Sequence, residues 1–246
     1  MTWLPEWLGT AYSRLWQAFG FAGINIKQAC STLDMEYKTV LNVMSRLAQA
    51  NHCIRLRRGL YQMCSPEYIV AKAAEKIQFG RLEDRPHISI IRSALSCLLH
   101  HFGTQLVTMA VYGSVSTDNY TDTSDIDILV VADEWPRNIS DQTAEVVEAT
   151  APVRRAISAL YESQGISSSI QWYTLTKEEA AKLRPLYLDM VRDAELVYDR
   201  DHFFEDILSK LESRMSDFGV KRVELPDGSH AWEAPSGHSL AEVFED

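Results

Sequence analysis

The sequence has no run of 18 uncharged apolar residues, so no segment of it reads as a membrane-spanning helix. The opening Met1-Thr2-Trp3-Leu4-Pro5-Glu6 has no basic stretch leading into an apolar one, so no signal peptide is expected and the expected compartment is the cytoplasm, with no membrane partner. Cysteine is scarce. Cys30, Cys53, Cys64 and Cys97 form no Cys-x-x-Cys pair, which excludes the usual zinc spacings, and they read as reduced core thiols. His87, His202, His230 and His238 are scattered, and His100-His101 reads as a helix-end pair that complements the dipole. There is no internal repeat and no low-complexity tract. Apolar residues at 46% and charged residues at 24% exclude wholesale disorder.

The charge that is present is unevenly placed. Residues 1–64 hold seven Lys/Arg and three acids, a surplus of four positive charges, so the remainder of a chain of net charge −10 carries −14. A basic head on an acidic body suggests two modules with different partners. The head suits phosphate, whereas the body repels it unless a metal or a local basic patch intervenes.

Hydrophobic periodicity predicts helices over 5–19, 26–33 (with Asn25 as N-cap) and 37–50, then two short strands over 53–57 and 60–63 joined at Arg58-Gly59. Helix, helix, turn, helix, hairpin is the layout of a winged helix-turn-helix. Within the third helix Val40, Leu41, Met44 and Leu47 are expected to face inward. Lys38, Asn42 and Arg46 then face outward with Thr39, Ser45 and Gln49. With Arg55, Arg57 and Arg58 of the hairpin, Lys38, Asn42 and Arg46 are the candidate contacts to double-stranded DNA. Trp3, Trp7 and Trp16 read as packing or dimer residues, and a homodimer stays open.

Further along, Ser65-Pro66 opens a helix expected to reach about Phe79, residues 80–85 make a polar linker, and another helix runs from Pro86 to Phe102. Strands are expected over 106–112, 125–131, 166–173 and 195–198, with helices over 141–163, from Thr176 to Asp193, and over 201–218. A final hairpin turns at Pro226-Asp227-Gly228. The expected division is a winged helix-turn-helix over 1–64, a helical linker over 65–85, a second domain over 86–218, and a hairpin and tail over 219–246. The fold class is α+β.

The chemistry concentrates in Tyr112-Gly113-Ser114 followed by Ser124-Asp125-Ile126-Asp127. Aspartates at i and i+2 on a strand share a face. Two like charges that close are costly unless a cation neutralises them. Mg²⁺ (or Mn²⁺) takes carboxylate and phosphate oxygens and keeps several waters. A Gly-Ser turn after a neighbouring strand offers backbone N–H groups and a hydroxyl to phosphate, and glycine permits the close approach. Asp118 and Asp122, in the loop between, read as turn residues.

The run Val111–Val131 resembles the signature of the nucleotidyltransferase fold of the DNA polymerase beta-like superfamily, Gly-Ser, a spacer, then Asp-x-Asp. It looks like the minimal nucleotidyltransferases of archaea and bacteria, many of which belong to toxin–antitoxin pairs. Leu186–Phe204 and the tail to Trp232 look like an archaeal branch in which a winged helix precedes the domain. The resemblance implies a mixed sheet flanked by helices and transfer of a nucleoside monophosphate from an NTP to RNA or protein. By that analogy Asp125 and Asp127 are catalytic and hold the metal, and Gly113 and Ser114 hold the nucleotide's β and γ phosphates. It also implies a third carboxylate on a later strand, and here the sequence departs. Ile166–Tyr173 contains no acid, while Glu162 precedes it and Glu178 and Glu179 follow it. Two other readings follow: a transcriptional regulator with a catalytically degenerate transferase domain, and an antitoxin-like partner of a small helical toxin.

Overall fold

A computed structural model describes residues 4–117, 119–136, 138–225 and 230–244. Its first elements are α1 (Glu6–Phe19), β1 (Gly23–Asn25), α2 (Ile26–Leu33), α3 (Tyr37–Gln49), β2 (Cys53–Arg57) and β3 (Leu60–Met63). The Asn25 side chain accepts from the Gln28 N–H while the Gln28 side chain accepts from the Asn25 N–H, which fixes the start of α2. Asp34, at φ 56°, ends α2 and turns the chain into α3. The three strands form an antiparallel sheet in the order β1-β3-β2. Strand β1 was not expected, because three residues are too few to show a period.

Leu8, Leu15, Ile24, Val40, Val43, Met44, Leu47 and Met63 fill the core of this unit. Val43 takes the place expected of Leu41, which is exposed. Counting from Val40, the helical repeat returns to residues 43, 44 and 47, and Leu41 falls about 100° away.

The rest of the chain gives α4 (Pro66–Ala73), α5 (Ile88–Phe102), β4 (Leu106–Tyr112), β5 (Ile126–Ala132), α6 (Ile139–Ala149), α7 (Arg154–Gln164) and β6 (Ile170–Thr176). Then come α8 (Lys177–Ala180), α9 (Tyr187–Asp193), β7 (Glu195–Asp199), α10 (Phe203–Asp217), β8 (Lys221–Glu224) and β9 (His230–Glu233). The main sheet has the order β6-β5-β4-β7, with β5 and β6 parallel and the other pairs antiparallel. The architecture is thus α+β, built on a mixed sheet.

Side chains of β4 and β5 alternate between two cores. Met109, Val111, Ile126, Ile128 and Val130 meet Leu95, Leu98 and Ala156 of α5 and α7. Ala110, Leu129 and Val131 meet Tyr187, Met190, Phe204 and Leu211 of α9 and α10. Burial on both faces explains the unbroken apolar run of β5.

Three expected helices are interrupted, among them the one from Thr176 to Asp193, which divides into α8 and α9 on either side of the segment that holds Pro185. The helix over 141–163 divides because Pro152, in the turn Ala151–Val153 ahead of α7, cannot donate to a helical ladder. The helix from Ser65 stops at Ala73, and Glu75 follows at φ 59°. The chain then runs along β7, with Ile77 bridging Tyr198 and the Gln78 N–H donating to the Val197 carbonyl. The hairpin β8–β9 pairs as expected, while its turn Pro226-Asp227-Gly228, together with Trp3, lies outside the described residues.

The first unit is fixed to α5 by buried polar contacts. The Gln62 Nε2 donates to the Ser93 hydroxyl at 2.7 Å, the Ser65 N–H donates to the Ser96 hydroxyl at 2.7 Å, and the Ser65 hydroxyl donates to the Ser96 carbonyl at 3.1 Å. Ile54 and Leu56 of β2 enter the α5 core beside them. Removing the Ser96 hydroxyl leaves a buried N–H without an acceptor, which costs about 1–3 kcal/mol. Ser96→Ala is expected to lower the urea midpoint by that amount, and an unchanged midpoint contradicts the assigned bond.

Candidate functional site

Three strand ends meet at one edge of the main sheet. Tyr112 closes β4, Asp127 is the second residue of β5, and Gln171 is the second residue of β6. Tyr112 pairs with Asp127 across the antiparallel ladder, and Asp127 pairs with Gln171 across the parallel one. Gly113 follows Tyr112 at φ 74°, a region that disfavours side chains. A Cβ there would lie 2.2 Å from the Asp127 Oδ2, so the carboxylate rests on the glycine backbone.

After Gly113 the chain makes a tight turn. The Ser116 hydroxyl donates to the Gly113 carbonyl at 2.8 Å, and the Thr117 hydroxyl donates to the Ser114 carbonyl at 3.1 Å. Among the described residues no protein group accepts from the N–H groups of Ser114, Val115 and Ser116. Successive unpaired N–H groups beside a left-handed residue make a concavity suited to an anion.

Asp125 precedes β5 instead of lying within it, and its carboxylate leans toward β6. The Ser169 hydroxyl donates to Asp125 at 2.6 Å and the Gln171 Nε2 at 3.3 Å. The Ser169 bond, followed by that from Gln171, outweighs a small burial effect and holds the Asp125 carboxyl below its ordinary value. Asp127 is half-buried and behaves oppositely. Burial first, then the charge of Asp125, pushes it above the ordinary carboxylate value. The hydroxyl of Tyr112, the ladder partner of Asp127, is pushed up to about 12 by burial, then by Asp127 and Tyr173.

A nucleotidyltransferase domain model matches residues 91–221, just over half of the 246-residue chain. The chain belongs to the nucleotidyltransferase family. A comparison with curated proteins gives no match. Among solved structures, a toxin–antitoxin complex with AMP-PNP is 14% identical, with TM-score 0.31, over 51% of this chain and 90% of that one. Spectinomycin adenyltransferase AAD(9) from Enterococcus faecialis, with ATP and spectinomycin, is 13% identical, with TM-score 0.36, over 54% of this chain and 67% of that one. A mutant of the toxin–antitoxin pair MntA-HpeT is 13% identical, with TM-score 0.29, over 50% of this chain and 87% of that one.

Among the described residues of this nucleotidyltransferase no third acid gathers with the pair. Glu162 is ion-paired with Arg57 at 3.4 Å. Glu179 closes a capping box with Thr176 at the far end of β6, and Glu178 is exposed beside it. Among the described residues no three His, Cys, Asp or Glu side chains gather to hold a metal ion. The neutral Gln171 stands in register with Asp127, on the strand where the family resemblance calls for a carboxylate. Asp125 and Asp127 are the residues here that could hold a hard divalent cation, a kind of ion that takes carboxylate and phosphate oxygens and keeps several waters.

Sequence reasoning missed the residues that hold the loop. The Arg85 Nη2 donates to the Thr117 carbonyl at 3.0 Å, and its guanidinium lies 5.1 Å from the Tyr120 ring centre. His87, fully buried, meets the Tyr120 ring edge-on at 5.4 Å and shares a hydrogen bond of 3.0 Å with the Ser168 hydroxyl. The Ser167 N–H donates to the Asp122 carbonyl at 2.8 Å, so Asp122 does serve the turn, while Asp118 lies outside the described residues. His100 and His101 lie in the last turn of α5, as expected, and also contact Glu67 and Glu145.

The six candidate DNA contacts, Lys38, Asn42, Arg46, Arg55, Arg57 and Arg58, are all exposed. Arg57 is engaged by Glu162 of α7, and Arg46 lies 5.6 Å from the Trp7 ring centre.

Two outcomes follow for the acid pair. Gly113→Ala forces a Cβ against Asp127 at a positive φ and is expected to lower both stability and any nucleotide binding, as read by thermal melting with and without Mg²⁺-ATP. For Asp127 the raised folded value means that its stabilising contribution is present at low pH and lost as pH rises through that value. At neutral pH the charged form is therefore a cost. Asp127→Asn is expected to raise the melting temperature at pH 7, by roughly 2–4 °C for each kcal/mol relieved, and to leave it little changed at pH 3.5. A fall at pH 7 refutes the strained-charge account.

Proposed function

We propose that this chain is a nucleotide-binding transferase with a DNA-binding head. Its nucleotidyltransferase domain holds Mg²⁺-NTP (or Mn²⁺-NTP) between Asp125, Asp127 and the Gly113-Ser114 turn, and passes a nucleoside monophosphate to RNA or protein. The observation that carries this reading is the packing of the Asp127 carboxylate on Gly113, beside a turn whose N–H groups at 114–116 have no protein acceptor among the described residues. A bound divalent cation supplies charge neutralisation at the carboxylates and at the leaving pyrophosphate.

The chain's own groups do the rest. The N–H groups of residues 114–116 orient the terminal phosphates, and Ser169 and Gln171 fix the direction of Asp125. An acceptor oxygen forms a bond to the α-phosphorus as the bond to pyrophosphate breaks. With a glutamine in register where an acid is called for, the acceptor's proton passes to water, and turnover is slow. Incubation with Mg²⁺ and labelled NTPs, using tRNA or lysate as acceptor, is expected to label the acceptor. Asp125→Asn with Asp127→Asn should reduce labelling at least about a hundredfold, on the scale of a lost charge-stabilising group. Labelling that survives the double change rejects the assignment.

In the same proposal residues 1–64 form a winged helix-turn-helix, 65–85 connects it to the transferase domain over 86–218, and 219–246 forms a hairpin and tail. Lys38, Asn42 and Arg46 of α3, with Arg55 and Arg58 of the hairpin, contact double-stranded DNA, while Arg57 reaches it only by releasing Glu162. The surplus of positive charge in the head and the exposure of all six side chains support this. Arg46→Ala with Arg58→Ala is expected to weaken binding to DNA from its own promoter region and to flatten the salt dependence by about two counterions. Unchanged affinity in a mobility-shift titration counts against the head as a reader. The absence of an acid at Gln171 favours a second reading, a transcriptional regulator whose degenerate transferase domain binds nucleotide without turning it over. That reading predicts Mg²⁺-dependent ATP binding with no label transferred. A place in a toxin–antitoxin-like pair is a further proposal, which co-purification with a small helical partner from the native host would support.

A further inference from the structure

Basic side chains gather where the first unit meets the transferase domain. Helix α7 packs against β2. Arg57, Leu60, Arg154, Arg155, Ser158 and Glu162 line a surface cavity of about 380 Å³ between the hairpin and this helix. The stem of Arg155 reaches as far as β1, where a Cβ on Gly23 would meet its Cδ at 3.5 Å and its Nε at 3.8 Å. Both units therefore build the cavity.

Arg154 and Arg155 are exposed in the first turn of α7, which holds no acid. A positive charge there opposes the helix dipole. Among the described residues neither arginine has a carboxylate within 4.0 Å, whereas Arg57, Arg81, Arg92, Arg200 and Arg222 each have one. Glu162 is the acid of the lining, and it pairs with Arg57 at 3.4 Å. Both members of that pair are more than half exposed, so the pair is weak and open to exchange. Two arginines thus stand where the helix disfavours them and close no ion pair, on an otherwise acidic body. Their charge is left for an anion from outside the chain. A guanidinium fork matches phosphate oxygens in two-point contact. Arg57 also joins the cavity to the exposed Arg55 and Arg58 of the same hairpin. A single small anion cannot serve both groups, but a run of phosphates can.

We infer that Arg154 and Arg155 form a second phosphate contact for double-stranded DNA, so that the transferase domain grips the backbone next to the hairpin. The inference rests on the proposed reading of the first unit as a DNA-binding head. It adds that the duplex is held by both units, and that Arg57 exchanges Glu162 for phosphate when the duplex arrives.

The test is an anisotropy titration of the full chain with a duplex from its own promoter region, repeated over a salt series. Wild type, Arg154→Gln with Arg155→Gln, Arg154→Lys with Arg155→Lys, and the head variant Arg46→Ala with Arg58→Ala are compared. The glutamine pair is expected to flatten the salt dependence by about two counterions and to weaken binding roughly ten- to hundredfold near about 0.1 M salt. The lysine pair keeps both charges and should keep the slope. Loss of slope in the head variant with none in the glutamine pair overturns the inference and leaves the head reading standing. A lysine pair that loses as much slope as the glutamine pair also overturns it, because the effect is then not one of charge. So does a glutamine pair that weakens binding of tRNA but not of the duplex, since the cavity would then serve RNA. If wild type does not bind the duplex, the head reading fails and the inference falls with it. Thermal melting checks the fold: the glutamine pair should melt no lower than wild type, because it removes charge that opposes the dipole. A glutamine pair without a cooperative transition is replaced by the two single changes, each expected to remove about one counterion and each overturning the inference if the slope is unchanged.

Discussion

The site depends on the repulsion between Asp125 and Asp127. One carboxylate is half-buried on a glycine backbone, and its neighbour raises the cost of ionising it. The neighbour is calmed by Ser169 and Gln171, but the inner one receives no comparable relief. On the proposed reading, a charge in that position favours a cation. This preference links Gly113, the turn at 114–117 and the start of β5 into one device, because moving any of them would let Asp127 reach water and relax. Stability and ligand affinity are then opposed at a single side chain, a common trade at functional sites.

The rest of the fold keeps that device rigid. β5 has both faces buried, so its second residue cannot drift. The long polar loop is tied at its middle by Arg85, Tyr120 and His87, and at its end by the contact of Ser167 with Asp122. The first unit is not loosely strung. Its hairpin shares the α5 core, and Gln62 and Ser65 are bonded to α5 in buried surroundings. A nucleic acid pulling on the hairpin would therefore act on α5 and on α7 through Arg57 and Glu162, elements that also back the main sheet.

Much of this was legible in the sequence, for identifiable reasons. Strongly periodic segments such as 37–49 and 88–102, and the apolar strands 106–112 and 126–132, announce themselves because one face or both must be buried. The acid pair and the Gly-Ser turn could be read because they lie on consecutive strands, within 15 residues of each other. Arg85 and His87 could not, since they reach the loop from a segment with no shared spacing. Leu41 misled because an apolar residue inside an amphipathic helix need not lie on its buried stripe. The long helices over 65–79 and 141–163 failed where a local rule, Pro152 in one case and the positive φ of Glu75 in the other, overrode periodicity.

What the missing third acid means can be argued from cost. An asparagine at 127 would keep nearly the same shape without the buried charge, and one at 125 would remove the like-charge neighbour. The change at 127 would relieve the fold, whereas the one at 125 would give up a charge that Ser169 and Gln171 favour, so it is the inner charge that has no structural purpose a neutral group would not serve better. Two acids suffice to hold one cation with its polyphosphate, whereas a third serves mainly to activate the acceptor. The arrangement is thus complete for binding and reduced for chemistry. On the proposed reading nucleotide occupancy matters at least as much as turnover, and the basic head is joined to the transferase domain through α5.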